Sequence, residues 1–258
     1  MPTIKLNSGT QFSSDVGQSL LDAAIQANVL LPYSCKKGRC NSCKCKLVSG
    51  DTYTVHDEIG LSAKEKTEGW VLSCARSATT DTILEVEDFG VTKLPPARRL
   101  PCRIDELEKL APDVIKVVLR LPPSEKLDFF AGQYIDVIGK EGIRRSYSLA
   151  NTSSTNKLLE LHIRSVPRGS MSDYWFSAAK PNDLLWLYGP LGTFFLRDIE
   201  QRDLIFLATG TGFSPVKSML ESLIELSPEL SPRSVTVYWG GRTLDDLYWN
   251  IDSIAGEY

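Results

Sequence analysis

The chain has 258 residues, 42% hydrophobic and 24% charged, with a formal net charge of −3. The length suits about two domains, and the composition is that of a folded globular protein, which excludes disordered, collagenous and coiled-coil classes. The weakly acidic balance offers no field for nucleic acid or anionic lipid. No apolar run reaches the roughly 18 residues of a membrane span, and Met1–Leu6 lacks the apolar core of a signal peptide. The expected location is therefore the cytoplasm, with neither nucleic acid nor membrane as partner. Thiols are kept reduced there, so the six cysteines call for an explanation other than disulfides.

Residues 1–90 read as one unit. Ile4-Lys5-Leu6 alternates as a strand, and Asn7-Ser8-Gly9-Thr10 turns into a second short strand. Leu20, Leu21, Ala24, Ile25 and Val29 recur at helical spacing, which predicts a helix over 18–28 stopped by Pro32. A cysteine-rich loop comes next, and 82–86 closes the unit as a strand. Strands around one helix suit an α+β layer fold. Residues 91–99, with Pro95-Pro96 among charges, read as a stiff extended linker. From 100 to 200 short β-branched runs (114–119, 134–138, 158–163) alternate with turns, the signature of an all-β sandwich or barrel. From 201 to 258 the pattern is β-α-β. An apolar run of buried parallel-strand type at 203–208 leads through a glycine turn to a helix over 216–226 and a strand at 235–239, with room for about one more helix.

The cysteines concentrate the chemistry. Cys35-x4-Cys40-x2-Cys43, with Cys74 far downstream, has the spacing of a plant-type [2Fe–2S] site. Four thiolates on a cluster need a loop that curls around them and points backbone N–H groups at sulfur. Gly38 permits a left-handed turn in that loop, and Lys36, Lys37, Arg39 and Lys44 offset the anionic centre. A structural zinc site is the alternative reading, although zinc usually takes paired short spacings. Cys45 and Cys102 read as buried, inert thiols. Residues 30–90 resemble a plant-type ferredoxin domain. One loop position that is glycine in that family is Asn41 here, and asparagine is among the few other residues that tolerate a left-handed backbone.

Arg145-Ser146-Tyr147-Ser148, after a β-rich stretch, resembles the R-x-Y-S motif of ferredoxin–NAD(P)+ reductase-type flavoproteins. The resemblance implies that Arg145 neutralises the FAD pyrophosphate, that Tyr147 stacks on the isoalloxazine, and that Ser148 hydrogen-bonds near the hydride-accepting nitrogen. His162-Ile163-Arg164 is similar to the family's flavin-contacting segment; the competing reading of His162 is a half-exposed strand residue. Gly169-Ser170-Met171-Ser172 is similar to the segment that cradles the flavin pyrophosphate at a helix N-terminus; the competing reading is a plain serine N-cap. Asp173-Tyr174-Trp175-Phe176 is then expected to open the helix. Gly210-Thr211-Gly212, between a strand and a helix with Pro215 in its first turn, fits a nucleotide pyrophosphate turn. Gly240-Gly241-Arg242 is placed to meet the adenosine ribose. Arg242 favours a 2′-phosphate, Asp245 and Asp246 oppose one, and the reading leans to NADH over NADPH.

The order ferredoxin, flavin, nucleotide resembles the iron–sulfur flavoprotein reductases that serve bacterial oxygenases and, in dideoxysugar biosynthesis, the CDP-6-deoxy-hexulose-3-dehydrase step. Leu31–Cys35 and Asp183–Arg197 resemble the CDP-6-deoxy-Δ3,4-glucoseen reductases of the latter. The implied fold is multidomain (α+β, all-β and α/β): a β-grasp ferredoxin domain over 1–90, a linker over 91–99, an FAD-binding β-barrel over 100–200 and a partial Rossmann-like NAD(P)-binding domain over 201–258. The implied cofactors are a [2Fe–2S] cluster on Cys35, Cys40, Cys43 and Cys74, FAD, and NADH as electron donor. The implied acceptor is a dehydrase or oxygenase protein. The family's nucleotide domain runs about twice as far past the glycine turn, so this chain is expected to lack its C-terminal part and to oxidise NADH slowly. The rival reading is an electron-carrier module in which only cluster and flavin act.

Overall fold

The structure, a computed structural model, describes residues 1–251 apart from 91, 140, 141 and 156. The chain divides into two compact units, residues 1–94 with 192–194 and residues 95–191 with 195–258. The barrel and the β-α-β segment, read from the sequence as separate domains, thus fall within one unit.

In the first unit, β1 (Thr3–Leu6), β2 (Gln11–Ser13), β3 (Lys44–Ser49), β5 (Trp70–Leu72) and β7 (Thr82–Glu85) form a sheet of order β2-β1-β7-β3-β5. β1 and β7 run parallel and the other pairs antiparallel, as a β-grasp requires. β4 (Thr52–Thr54) and β6 (Arg76–Ala78) pair as a separate ribbon, and α2 (Ala63–Thr67) precedes β5. Helix α1 (Leu20–Gln26) begins at Ser19, whose Oγ accepts from the Asp22 N–H at 3.0 Å, the usual satisfaction of a free N-terminal donor. It buries Leu20, Leu21, Ala23 and Ala24 against Ile4, Leu6, Leu72 and Leu84. The helix ends well before Pro32. Asn28 takes a left-handed φ of 58°, which breaks the helical ladder without proline.

In the second unit, β8 (Arg98–Ala111), β9 (Val114–Arg120), β10 (Tyr134–Ile138), β11 (Arg144–Ser148), β12 (Leu158–Arg164) and β13 (Leu184–Leu191) form a sheet of order β11-β10-β13-β8-β9-β12. A bridge between Leu149 and Leu161 joins its two ends, closing the barrel around Ile104, Val117, Leu119, Ile135, Val137, Leu161 and Leu187. Arg98 and Arg99, expected in the linker, are already strand, because they pair with Gly189 and Tyr188 of β13. Helix α3 (Ser170–Asp173) runs into a wide turn over Tyr174–Ala178, so the helix opens earlier than Asp173.

β14 (Asp203–Thr209) and β15 (Ser234–Gly240) pair in parallel, joined by α4 (Phe213–Ile224). The expectation that 203–208 is buried on both faces fails. Phe206 and Ala208 are covered by α4, whereas Ile205 is 66% exposed and Leu207 76% exposed. With only two strands and one helix, the second face has no covering layer among the described residues. The further helix expected after β15 is a single turn at Leu244–Asp246; residues 252–258 lie outside the described residues.

Candidate functional site

The cysteine loop is shaped by its left-handed residues. Lys36, Gly38 and Asn41 take φ of 51°, 66° and 59°, so the chain turns three times within six residues. The turns direct amides at sulfur: Cys35 N–H donates to Cys40 Sγ at 3.3 Å, and Lys37 N–H to Cys35 Sγ at 3.3 Å. The segment around Gly60 braces the loop, its N–H donating to the Gly38 carbonyl at 2.8 Å. Behind it, buried Glu58 accepts from the Leu72 amide at 2.8 Å and from Arg76 at 2.7 Å.

The donor set suits the cluster. The hydrogen bond between the Cys43 and Cys74 thiols lowers Cys43 to about 7 and keeps the shared proton on Cys74. Binding metal removes that proton. Burial instead pushes Cys45 and Cys102 up to about 12, and both stay inert inside their cores, 1% and 2% exposed. Among the described residues no three His, Cys, Asp or Glu side chains gather about one point. A [2Fe–2S] cluster spreads its four cysteines over two irons.

In the second unit, Arg145 and Tyr147 alternate with Ser146 and Ser148 along β11, so the two pairs face opposite ways. Arg145 is exposed, its guanidinium donating to the Arg144 carbonyl at 2.8 Å. The Tyr147 hydroxyl accepts from Trp175 Nε1 at 3.0 Å, with the rings edge to face. That fixes the Tyr147 ring. Gly169 caps α3 without a side-chain bond, so the serine N-cap reading does not hold. Ser170 is exposed, while buried Ser172 accepts the Val166 amide at 2.9 Å. Met171 is a core residue packed where a β-carbon on Gly139 would stand. Its backbone, not its side chain, is left for a ligand.

His162 is 5% exposed and not half exposed, because Tyr248 and Trp249, far along the chain, pack on it. Its Nδ1 lies 3.1 Å from the Tyr248 hydroxyl, its Nε2 2.8 Å from Glu160, and its ring stacks on Trp249. Burial lowers its pKa, against the opposing pull of Glu160. Both ring nitrogens are therefore engaged by protein. Ile163 points into the barrel core. Arg164 forms an ion pair with buried Asp246 at 2.6 Å.

The structure brings the end of β12 and the Gly210–Gly212 turn together. Gly210, at φ 50°, packs on Arg164, where a β-carbon would stand 3.3 Å from the guanidinium carbon. Trp239 Nε1 donates to the Gly210 carbonyl at 3.0 Å and stacks on Phe213. Thr211 and exposed Gly212 complete the turn into α4. At the end of β15, Asp246 accepts from the Arg242 amide at 2.8 Å and contacts its Nε at 3.3 Å. Arg242 therefore reaches solvent already partnered.

One group escaped the sequence reading. Lys217 sits on the buried face of α4 and is 2% exposed. A lone lysine within Phe213–Leu220, an otherwise apolar or small stretch, was the available signal.

Comparison with known proteins gives three family matches: a 2Fe-2S iron-sulfur cluster binding domain over residues 4–79, an oxidoreductase FAD-binding domain over 101–196 and an oxidoreductase NAD-binding domain over 206–253. The chain is 41% identical to the CDP-6-deoxy-L-threo-D-glycero-4-hexulose-3-dehydrase reductase of Yersinia pestis, over 96% of this chain and 74% of that protein. It is 35% identical to a reductase component of terephthalate 1,2-dioxygenase from Comamonas sp., over 94% and 70%. Among solved structures, the Amycolatopsis cytochrome P450 reductase GcoB matches with a TM-score of 0.73 and 32% identity, over 100% of this chain and 78% of that one. No helix among the described residues is long and apolar enough to cross a membrane.

Proposed function

The chain belongs to the iron–sulfur flavoprotein reductases, and from that premise we propose that it supplies electrons from NADH to the dehydrase that acts on a CDP-6-deoxy-hexulose in dideoxysugar biosynthesis. The 41% identity over nearly the whole chain to a reductase of that name carries the choice of partner. Bound FAD would supply the link between a two-electron hydride donor and a one-electron cluster, a conversion that would belong to the cofactors. The protein binds and orients.

Cys35, Cys40, Cys43 and Cys74 hold the cluster, and the Cys35 and Lys37 amides steady its sulfurs. Arg145 offers a planar guanidinium to the FAD pyrophosphate, aided by the backbone of Gly169, Ser170, Met171 and Ser172. Tyr147, fixed by Trp175, supplies an aromatic face, and Ser148 a hydroxyl. The backbone of His162, Ile163 and Arg164 borders the flavin. Gly210, Thr211 and Gly212 admit the NADH pyrophosphate to the backbone. Asp246, which Arg164 and Arg242 share, sets a carboxylate beside Arg242, the residue that a 2′-phosphate would need, and that repulsion favours NADH over NADPH. The domain assignment accords with these roles: 1–90 for the cluster, 100–200 for FAD and 201–258 for the nucleotide, in a reducing compartment such as the cytoplasm.

The second reading, a reductase component of an oxygenase, draws on the relatives at 35% identity and on the P450 reductase fold match. Reconstitution of the loaded chain and NADH with each partner class separates the two. Turnover with the 3-dehydrase and none with oxygenase components is expected; the reverse overturns the choice of partner.

A further inference from the structure

Helix α4 leaves the Gly210–Gly212 turn and lies on the backbone just beyond the Arg145–Ser148 segment. Two consecutive side chains make the contact. Lys217 Nζ donates to the Ala150 carbonyl at 2.9 Å, and Ser218 Oγ donates to the Asn151 carbonyl at 2.7 Å. Both residues are almost wholly buried, 2% and 0% exposed. Lys217 also meets Glu160 at 3.1 Å and Glu221 at 2.5 Å. Glu160 in turn holds His162. At the far end of α4, Glu225 accepts from Ser154 at 2.9 Å.

Burying an ammonium costs several kcal/mol, and apolar packing of similar volume is often as stable. The contact is thus a poor device for stability alone. Its geometric effect is specific. Ala150 and Asn151 lie two and three residues beyond Ser148, and Lys217 lies five residues beyond Gly212. One helix turn therefore ties the end of the flavin strand to the start of the nucleotide helix.

We propose that Lys217 and Ser218 are positioning residues that set the nucleotide turn against the flavin strand, and so fix the register in which NADH meets FAD. The inference rests on the assignment of these two segments to nucleotide and flavin. Misplacement of reacting groups by about 1 Å costs on the order of a hundredfold in rate, so loosening this contact acts on the rate of flavin reduction rather than on either cofactor's occupancy.

The test uses the whole chain loaded with FAD and cluster. FAD dissociation constant, visible spectrum and thermal midpoint are measured first, then anaerobic flavin reduction over a range of NADH concentrations. Lys217→Met is expected to keep FAD affinity within threefold of the parent and the apparent NADH constant within threefold, and to lower the limiting reduction rate at least tenfold. Lys217→Arg, which restores a donor, is expected to recover at least half of the loss on a logarithmic scale. Ser218→Ala, which removes one hydroxyl, is expected to lower the limiting rate at least threefold and decides the matter if Lys217→Met does not fold. A smaller loss in limiting rate, a failed rescue, or FAD weakened beyond threefold overturns the inference, the last by showing a merely structural role. A parent chain that binds no FAD, or whose bound FAD NADH does not reduce, would instead overturn the reading beneath it.

Discussion

Gly38 and Asp57 pack backbone to backbone: a β-carbon on Gly38 would stand 2.1 Å from the Asp57 carbonyl oxygen. The cluster loop and its brace are therefore fitted at a position only glycine occupies, with φ already at 66°. Gly38→Ala must shift the loop as well as bear a left-handed strain of about 1–2 kcal/mol. The expected outcome is a folded chain with iron below half the parent's content. Asn41→Gly should load normally, since glycine accepts φ of 59° freely, whereas Asn41→Val should lose cluster. Iron and labile sulfide analysis of the three variants checks this.

The cysteine assignment makes its own prediction. The loaded protein should carry two irons and two sulfides per chain. Cys40→Ser should abolish the visible absorption of the cluster. Cys102→Ser, at a buried thiol with no role in the loop, should leave the spectrum unchanged. Stoichiometric zinc without iron would contradict the assignment.

How far all this was legible in the chain differs from element to element. The turns of the cysteine loop are legible because their determinants are local: one glycine, and an asparagine that tolerates φ above zero. The exposed face of β14 is not legible, because a strand apolar on both sides looks the same in sequence whether one face or two are covered. Pro32 is the visible stop signal after α1, but Asn28, at φ 58°, ends the helix first. His162 was open to a half-exposed reading because Tyr248 and Trp249, which cover it, lie more than eighty residues away. The setting of Lys217 is hidden for the same reason, since its partners Ala150 and Glu160 are more than fifty residues away.

The proposed role of Arg145 at the FAD pyrophosphate implies a charge-assisted contact of about 1.5–3 kcal/mol. Arg145→Ala should therefore weaken FAD about tenfold to a hundredfold. Because Arg145 is exposed and, among the described residues, donates to the neighbouring Arg144 carbonyl, the thermal midpoint of the flavin-free protein should stay put. Equilibrium dialysis against FAD gives the first number and calorimetry the second.

His162 predicts a pH response. Burial lowers its pKa below 6.5 in the folded protein, with Lys217 and Lys116 adding to the effect and Glu160 opposing it. The unfolded chain then binds more protons, so stability falls as pH drops through about 6.5 toward the folded value and is fully present above 6.5. The loss approaches about 1.4 kcal/mol per unit of lowering. Glu160 is also lowered, but its contribution is lost only at pH below 4.5. Between pH 7.5 and 5.5 the urea midpoint of the loaded protein should fall, and His162→Gln should flatten that slope. A slope that His162→Gln leaves unchanged would show that folding does not shift the pKa of this ring.

NADH electrons are expected to reach the cluster through the flavin of this one chain. Anaerobic addition of NADH to protein loaded with FAD and iron, monitored at equilibrium by visible absorbance and the paramagnetic signal of the reduced cluster, tests it most directly. NADH should bleach the flavin and produce the same cluster signal as dithionite, and Arg145→Ala stripped of FAD should respond to dithionite only. A cluster reduced by dithionite but left oxidised by NADH, with FAD bound, would contradict it.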